Sequence, residues 1–223
     1  MRISIFILFI FSFILIISCK YDITETPVAS VCNSTLSNCA ASQNTEYCTF
    51  GYKWGKDNPF LKAGYQIPGP ASGNITISYK FQDSGFKFNT HSQNNVESAS
   101  IKRISPFAEI IIRNAFAQWE VNTDIKFVEK FGKDSTDIRV ITADITQGGL
   151  GYPPVPKGPC AGLVIFRCTS YNLLSLQYLA LHEIGHVLGL GHVSSENVMN
   201  SDKSYQKLQL GDIKGIQSIY GKK

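Results

Sequence analysis

Histidine, methionine and tryptophan are scarce in this chain of 223 residues, which carries four, two and two of them. Charge is thin as well: 17% of residues are charged, and a formal net charge of +4 is spread without any basic block. A nucleic-acid partner needs lysine and arginine gathered on one face, so that class is excluded. No internal repeat occurs, which removes solenoids and propellers. No apolar run reaches the ~20 residues of a spanning helix. The longest, Ile3 to Ile17 behind Met1-Arg2, is broken only by Ser4 and Ser12, and its length and leading charge fit an export signal.

That run ends in Ile16-Ile17-Ser18-Cys19, which resembles the lipobox of bacterial lipoproteins. The resemblance implies cleavage after residue 18 and acylation of Cys19. Several buried acyl chains, at about 0.8 kcal/mol per CH₂, would hold the protein on a membrane without a spanning helix. The expected location is the cell envelope or cell surface, with plain secretion as the alternative. Residues 19–47 are rich in Ser, Thr, Asn and Ala and read as a flexible tether or a short pro-segment. Residues 48–223 have globular texture and the length of one domain.

Five cysteines follow Cys19: Cys32, Cys39, Cys48, Cys160 and Cys168. In an oxidising compartment some should pair, and an odd count leaves one over. Cys160 and Cys168 flank an apolar segment that reads as a strand. Extended, it would hold them about 26 Å apart, so they can bond to each other only if the chain folds back near Gly162.

Within the domain, 74–80, 125–128, 137–142 and 162–167 read as strands. The Ser/Asn-rich stretch 84–100 reads as a loop, and so does 148–156, which is saturated with Gly and Pro. Ser105-Pro106 opens a helix with Ile111, Ala115 and Trp119 on its inward stripe. Residues 173–188 form a second helix with a core stripe of Leu174, Leu181, Ile184 and Leu188, stopped at Gly189 or Gly191. Residues 210–220 form a short terminal helix. One domain combining helices and strands accommodates all of these.

Three of the four histidines fall in Ala180-Leu-His-Glu-Ile-Gly-His-Val-Leu-Gly-Leu-Gly-His192. His182 and His186 lie four apart on a helix, so their imidazoles project from one face, as two nitrogen ligands of one zinc must. Gly189 allows a sharp turn that returns His192 as the third ligand. Three protein ligands leave a fourth position open, which marks a catalytic rather than a structural zinc. Glu183 adjoins the ligand row without belonging to it and is placed to take a proton from a water polarised by the metal.

The run from His182 to His192 resembles the extended HExxHxxGxxH signature of the metzincin metallopeptidases, and Val198-Met199 stands where that clan has its Met-turn. Ala115-Phe-Ala-Gln-Trp119, Asp137-Ile-Arg-Val140, Trp54 and the ending from Gly211 to Gly221 make the chain similar to the matrixins, the matrix-metalloproteinase type. The resemblance implies an α+β fold, a twisted mixed sheet of about five strands with an active-site helix, a second long helix and a C-terminal helix. It implies a zinc-dependent endopeptidase with Zn²⁺ on His182, His186 and His192, Glu183 as general base, and Met199 as the floor beneath the ligands. The substrate is then a polypeptide, added as an antiparallel strand along 162–167 at the upper rim of the cleft, and a monomer is expected. Bound Ca²⁺ is compatible with the sequence, since carbonyl ligands leave no trace in it. Many matrixins hold a second, structural zinc; the only spare histidine here is His91, so that ion is not expected. Asn200-Ser201 replaces the usual Tyr-Pro after the Met-turn, in a segment that shapes the pocket for the residue following the cut bond. Two other readings use the same features: a surface lipoprotein that binds host or matrix proteins without cutting, and a hydrolase of peptidoglycan or another non-protein amide.

Overall fold

The computed structural model describes residues 46–50, 53–55, 75–82, 85–90, 93, 95–133, 135–154 and 160–223. The export signal at 1–18, Cys19, Cys32, Cys39, His91 and the tether up to residue 45 lie outside the described residues. Among the described residues no helix is long and apolar enough to cross a membrane.

The architecture is α+β. Strands β2 (Ile75–Phe81), β5 (Ile125–Glu129), β6 (Ile138–Ala143) and β8 (Leu163–Arg167) run parallel in the order β5-β2-β6-β8. β4 (Val96–Ala99) joins the end of β6 antiparallel and carries the short β3 (Lys87–Phe88). β7 (Gly149–Gly151) adds antiparallel to the outer edge of β8. A separate two-stranded ribbon pairs β1 (Cys48–Thr49) with β9 (Leu190–Gly191). The sheet thus has seven strands where about five were expected. The extra ones, β3, β4 and β7, arise in the stretches 84–100 and 148–156, read from composition as loops; strands of two to four residues are too short to show a clear alternation.

β8 explains why parallel strands read as unbroken apolar runs. Val164 and Phe166 belong to the larger core beneath the helices, and Leu163 and Ile165 to a smaller core with Phe88, Val96 and Ile141 on the other side. Cys160, in the turn that precedes β8 and contains Gly162, and Cys168, just after β8, are free thiols. Cys48 is disulfide-bonded.

Helix α1 spans Ala108–Val121, beginning after a turn in which Ser105 Oγ accepts the Phe107 N–H at 3.1 Å. Its buried stripe is Ala108, Ile112, Ala115, Phe116 and Trp119, not Ile111, which is only half buried. Two helical turns span about seven residues, so counting back from Trp119 reaches Ile112 rather than Ile111. Helix α2 spans Leu173–Val187, capped by Asn172, whose side chain accepts the Ser175 N–H at 2.8 Å. Leu174, expected in its core stripe, is 63% exposed, because the first turn from Leu173 to Ser175 lies outside the core. Leu176, Ala180, Leu181, Ile184 and Val187 do the packing. Helix α3 spans Leu210–Tyr220 and opens on a capping box between Gln209 and Asp212.

Trp119 locks α1 to α2. It is fully buried, its indole Nε1 donates to the Leu181 carbonyl at 3.2 Å, and its ring lies 3.1 Å from where a side chain on Gly185 would begin. Trp119→Ala should therefore lower unfolding free energy by about 3–5 kcal/mol. Urea denaturation checks this, and a loss below about 1 kcal/mol would show that the two helices are held together by something else.

Candidate metal centre

α2 presents His182 and His186 one turn apart, and Gly189 turns the chain with a φ of 106°. Such a conformation is open to glycine and strained in other residues. β9 then leads to His192. The three Nε2 atoms converge: His182 to His192 is 3.0 Å, His186 to His192 is 3.0 Å and His182 to His186 is 3.1 Å. A tetrahedral zinc with ligands at ~2.0–2.1 Å places its nitrogens about 3.3 Å apart, so the triad is near that spacing. Among the described residues, this is the only group of three or more His, Cys, Asp or Glu able to share a metal.

The donor chemistry fits a cation. His182 Nδ1 lies 2.7 Å from the Val198 carbonyl and His186 Nδ1 lies 2.8 Å from the Leu190 carbonyl. A carbonyl only accepts, so each Nδ1 carries the proton and each Nε2 is left bare. Two lone pairs then face each other across 3.1 Å, an arrangement that a shared cation relieves. Burial keeps protons from filling that role. It pushes the His182 imidazole down to about 4 and that of His186 well below its ordinary range, and lowers His192 as well.

Supports of the ligands reach deep into the fold. Asp212 accepts N–H bonds from Val198 at 2.9 Å, Met199 at 3.2 Å and Gln209 at 2.8 Å. It thereby holds the peptide whose carbonyl orients His182. Burial raises the Asp212 carboxyl, against the pull of those three donors. Met199 is 2% exposed, and its sulfur presses against the backbone of Gly185, where any side chain would collide with it. Below α2, the Trp54 Nε1 donates to the Val187 carbonyl at 2.9 Å and the Tyr220 hydroxyl to the Leu188 carbonyl at 2.9 Å, satisfying acceptors that a helix end leaves open.

Glu183 is 4% exposed, and burial pushes its carboxyl up to about 8. Its neighbour is β7: a side chain on Gly149 would start 2.6 Å from Glu183 Oε1, and one on Gly151 would run into the Glu183 carbonyl. Two glycines bring this strand directly over the carboxylate. The rim expected at 162–167 is thus misplaced. β8 is enclosed between β6 and β7, and among the described residues β7 is the strand whose outer edge is unpaired.

The sequence reading brought together His182, Glu183, His186, His192 and Met199, all of which meet here; Cys19 lies outside the described residues. It missed Asp212, legible only as half of a capping box, and the β7 glycines, legible only as loop composition. It also missed Tyr178, four residues before His182, whose ring lies 5.6 Å from that imidazole and whose hydroxyl donates to the Asn200 carbonyl at 3.2 Å. Spacing along α2 could have found it.

Residues 166–221 match the family described as Matrixin. The chain is 45% identical over 56 residues to human matrilysin, covering 22% of this chain and 21% of that protein. It is 30% identical over 141 residues to human matrix metalloproteinase-15, covering 49% of this chain and 21% of the relative. It is 29% identical over 136 residues to metalloendoproteinase 1 of Glycine max, covering 49% and 44%. The chain therefore spans less than half the length of these relatives. Matrixins depend on zinc, which agrees with the donor set of the triad.

Asp212→Ala leaves three N–H donors without their acceptor. Two of them, on Val198 and Met199, are buried, so at about 1–3 kcal/mol for each buried unsatisfied group a stability loss of about 2–6 kcal/mol is expected by chemical denaturation. Because the Val198 peptide is freed, zinc affinity should also fall about 10- to 100-fold. Unchanged affinity would show that His182 is oriented without it.

Proposed function

We propose that this matrixin-like metzincin domain is a zinc-dependent endopeptidase. The observation that carries the reading is the convergence of three imidazole nitrogens, two of them bare, beside a buried carboxyl on the helix of His182 and His186 that does not belong to the ligand set. His182, His186 and His192 would hold Zn²⁺. When bound, the ion supplies Lewis-acid polarisation of a water and of the substrate carbonyl.

The remaining steps belong to the chain itself. Among the described residues no donor hydrogen-bonds to Glu183, so both carboxylate oxygens are free to take a proton from the attacking water. Glu183 then hands that proton to the departing amine as the peptide bond breaks. Its burial excludes competing water and makes it a stronger base than a solvated carboxylate. The outer edge of β7, unpaired among the described residues, would receive an extended polypeptide as an antiparallel strand, with specificity set by pockets on either side. Tyr178 and the Asn200 segment, tied together by the Tyr178 hydroxyl, would form a wall of the pocket beyond the cut bond. Polypeptide recognition of this kind needs no second copy of the chain.

Export and anchoring through Cys19 belong to the same proposal and rest on the apolar run Ile3–Ile17 and the Ile16-Ile17-Ser18-Cys19 ending. Growth with a radiolabelled fatty acid should label the full chain, and Cys19→Ser should abolish the label; equal labelling of both would remove Cys19 as the anchor.

Glu183→Gln should retain stoichiometric zinc and lose about 10²- to 10⁴-fold of its cleavage rate. The measurement is mass spectrometry of products from a proteome-derived peptide library, with metal content read on the same samples. Stripping the metal with a chelator should stop cleavage, and one equivalent of zinc should restore it. A zinc-loaded wild type that leaves the library intact would defeat the peptidase reading in favour of a binding protein.

A further inference from the structure

The ribbon formed by β1 and β9 lies apart from the main sheet and is only two residues long on each side. A ladder this short does not hold by itself in water. Yet it sits at the most sensitive place in the chain, since β9 ends one residue before His192, and the carbonyl of Leu190 orients His186.

Several anchors press β1 and the following residue onto this spot. The Phe50 N–H donates to the Gly189 carbonyl at 2.8 Å, extending the ribbon to the turn. Thr49 pairs with Leu190 and Cys48 with Gly191. The missing side chain of Gly191 is what admits the strap: a Cβ there would lie 3.1 Å from the Phe50 ring and 3.2 Å from Cys48 Sγ. Glu46 is held from two sides, by Lys214 at 2.7 Å and by Asn197 Nδ2, which donates to its carbonyl at 2.6 Å. Phe50 itself is 4% exposed and stacks on His186, with ring centroids 5.5 Å apart and planes inclined by 23°.

We infer that Phe50 is a positioning residue for the metal ligand His186, and that residues 46–50 act as a strap setting the geometry of the triad from behind. The hydrogen bond at Nδ1 selects the tautomer of His186 but leaves the ring able to swing about that contact. A flat aromatic face against the imidazole removes the swing. Through Leu190 and Gly191 the same strap fixes the approach of His192. The inference rests on the zinc reading above and adds to it a determinant outside the segment that matches the matrixins.

The test measures zinc binding rather than cleavage. Wild-type chain, Phe50→Ala and Phe50→Leu are stripped of metal, and zinc dissociation constants are read by competition with a chromophoric chelator. Cobalt loading then reports the ligand field through its visible d–d bands. Phe50→Ala should bind zinc about 10- to 100-fold more weakly and change the intensity of the cobalt bands, with Phe50→Leu in between. Ile125→Ala removes buried volume at the far edge of the sheet. It should lower the thermal midpoint of the metal-free protein while leaving zinc affinity and the cobalt spectrum as in wild type. Wild-type affinity and spectrum in Phe50→Ala, or an equal loss of affinity in Ile125→Ala, would overturn the positioning role. If Phe50→Ala does not fold, Phe50→Leu against wild type decides by the same two readouts. A wild-type chain that binds no zinc overturns the metal assignment itself, a failure distinct from that of the strap.

Discussion

Three imidazoles held within about 3 Å of one another, two of them buried and with no proton on their facing nitrogens, are the constraint around which the rest of the domain is arranged. Such a cluster is unfavourable unless a cation sits among the lone pairs, so the protein must spend structure on holding it together. That structure is found one layer out. Val198 and Leu190 turn carbonyls toward the two helical ligands, Asp212 holds Val198 in place, and Met199 packs under Gly185. Trp119 and Trp54 tie α2 at its middle and its end. Each is a neutral or backbone-directed contact.

The site and the family resemblance divide unequally along the chain. The segment 166–221 that matches the matrixins contains α2, the turn at Met199 and α3, and therefore the whole histidine triad, Glu183 and Asp212. Trp54, Phe50, the β7 glycines and Trp119 lie upstream of that segment. The triad thus resides in one contiguous stretch, and part of the packing that steadies it comes from residues distant in sequence, 62 positions away for Trp119 and 133 for Trp54.

This division also explains how much could be read without coordinates. Ligands on a helix announce themselves, because i and i+4 must share a face, and Gly189 marks the turn that brings His192 back. The long strands β2, β5, β6 and β8 and all three helices were legible from periodicity, although the inward stripes of α1 and α2 were misjudged at Ile111 and Leu174. What was not legible depends on partners distant in sequence. β1 exists because it meets β9, and two residues cannot display a period. Asp212 is visible as a helix cap but not as the acceptor for the peptide behind His182. Phe50 carries no local signal, since only the fold shows that its ring lies on an imidazole.

The Gly149-Leu-Gly151 strand has the composition of a linker, the sort of stretch in which substitutions are usually free. Its backbone lies so close to Glu183 that neither glycine position has room for a methyl group. Over evolutionary time these positions should therefore drift as slowly as the ligands themselves, while the exposed first turn of α2 is free to vary. In this domain, low complexity marks the place where variation is least tolerated.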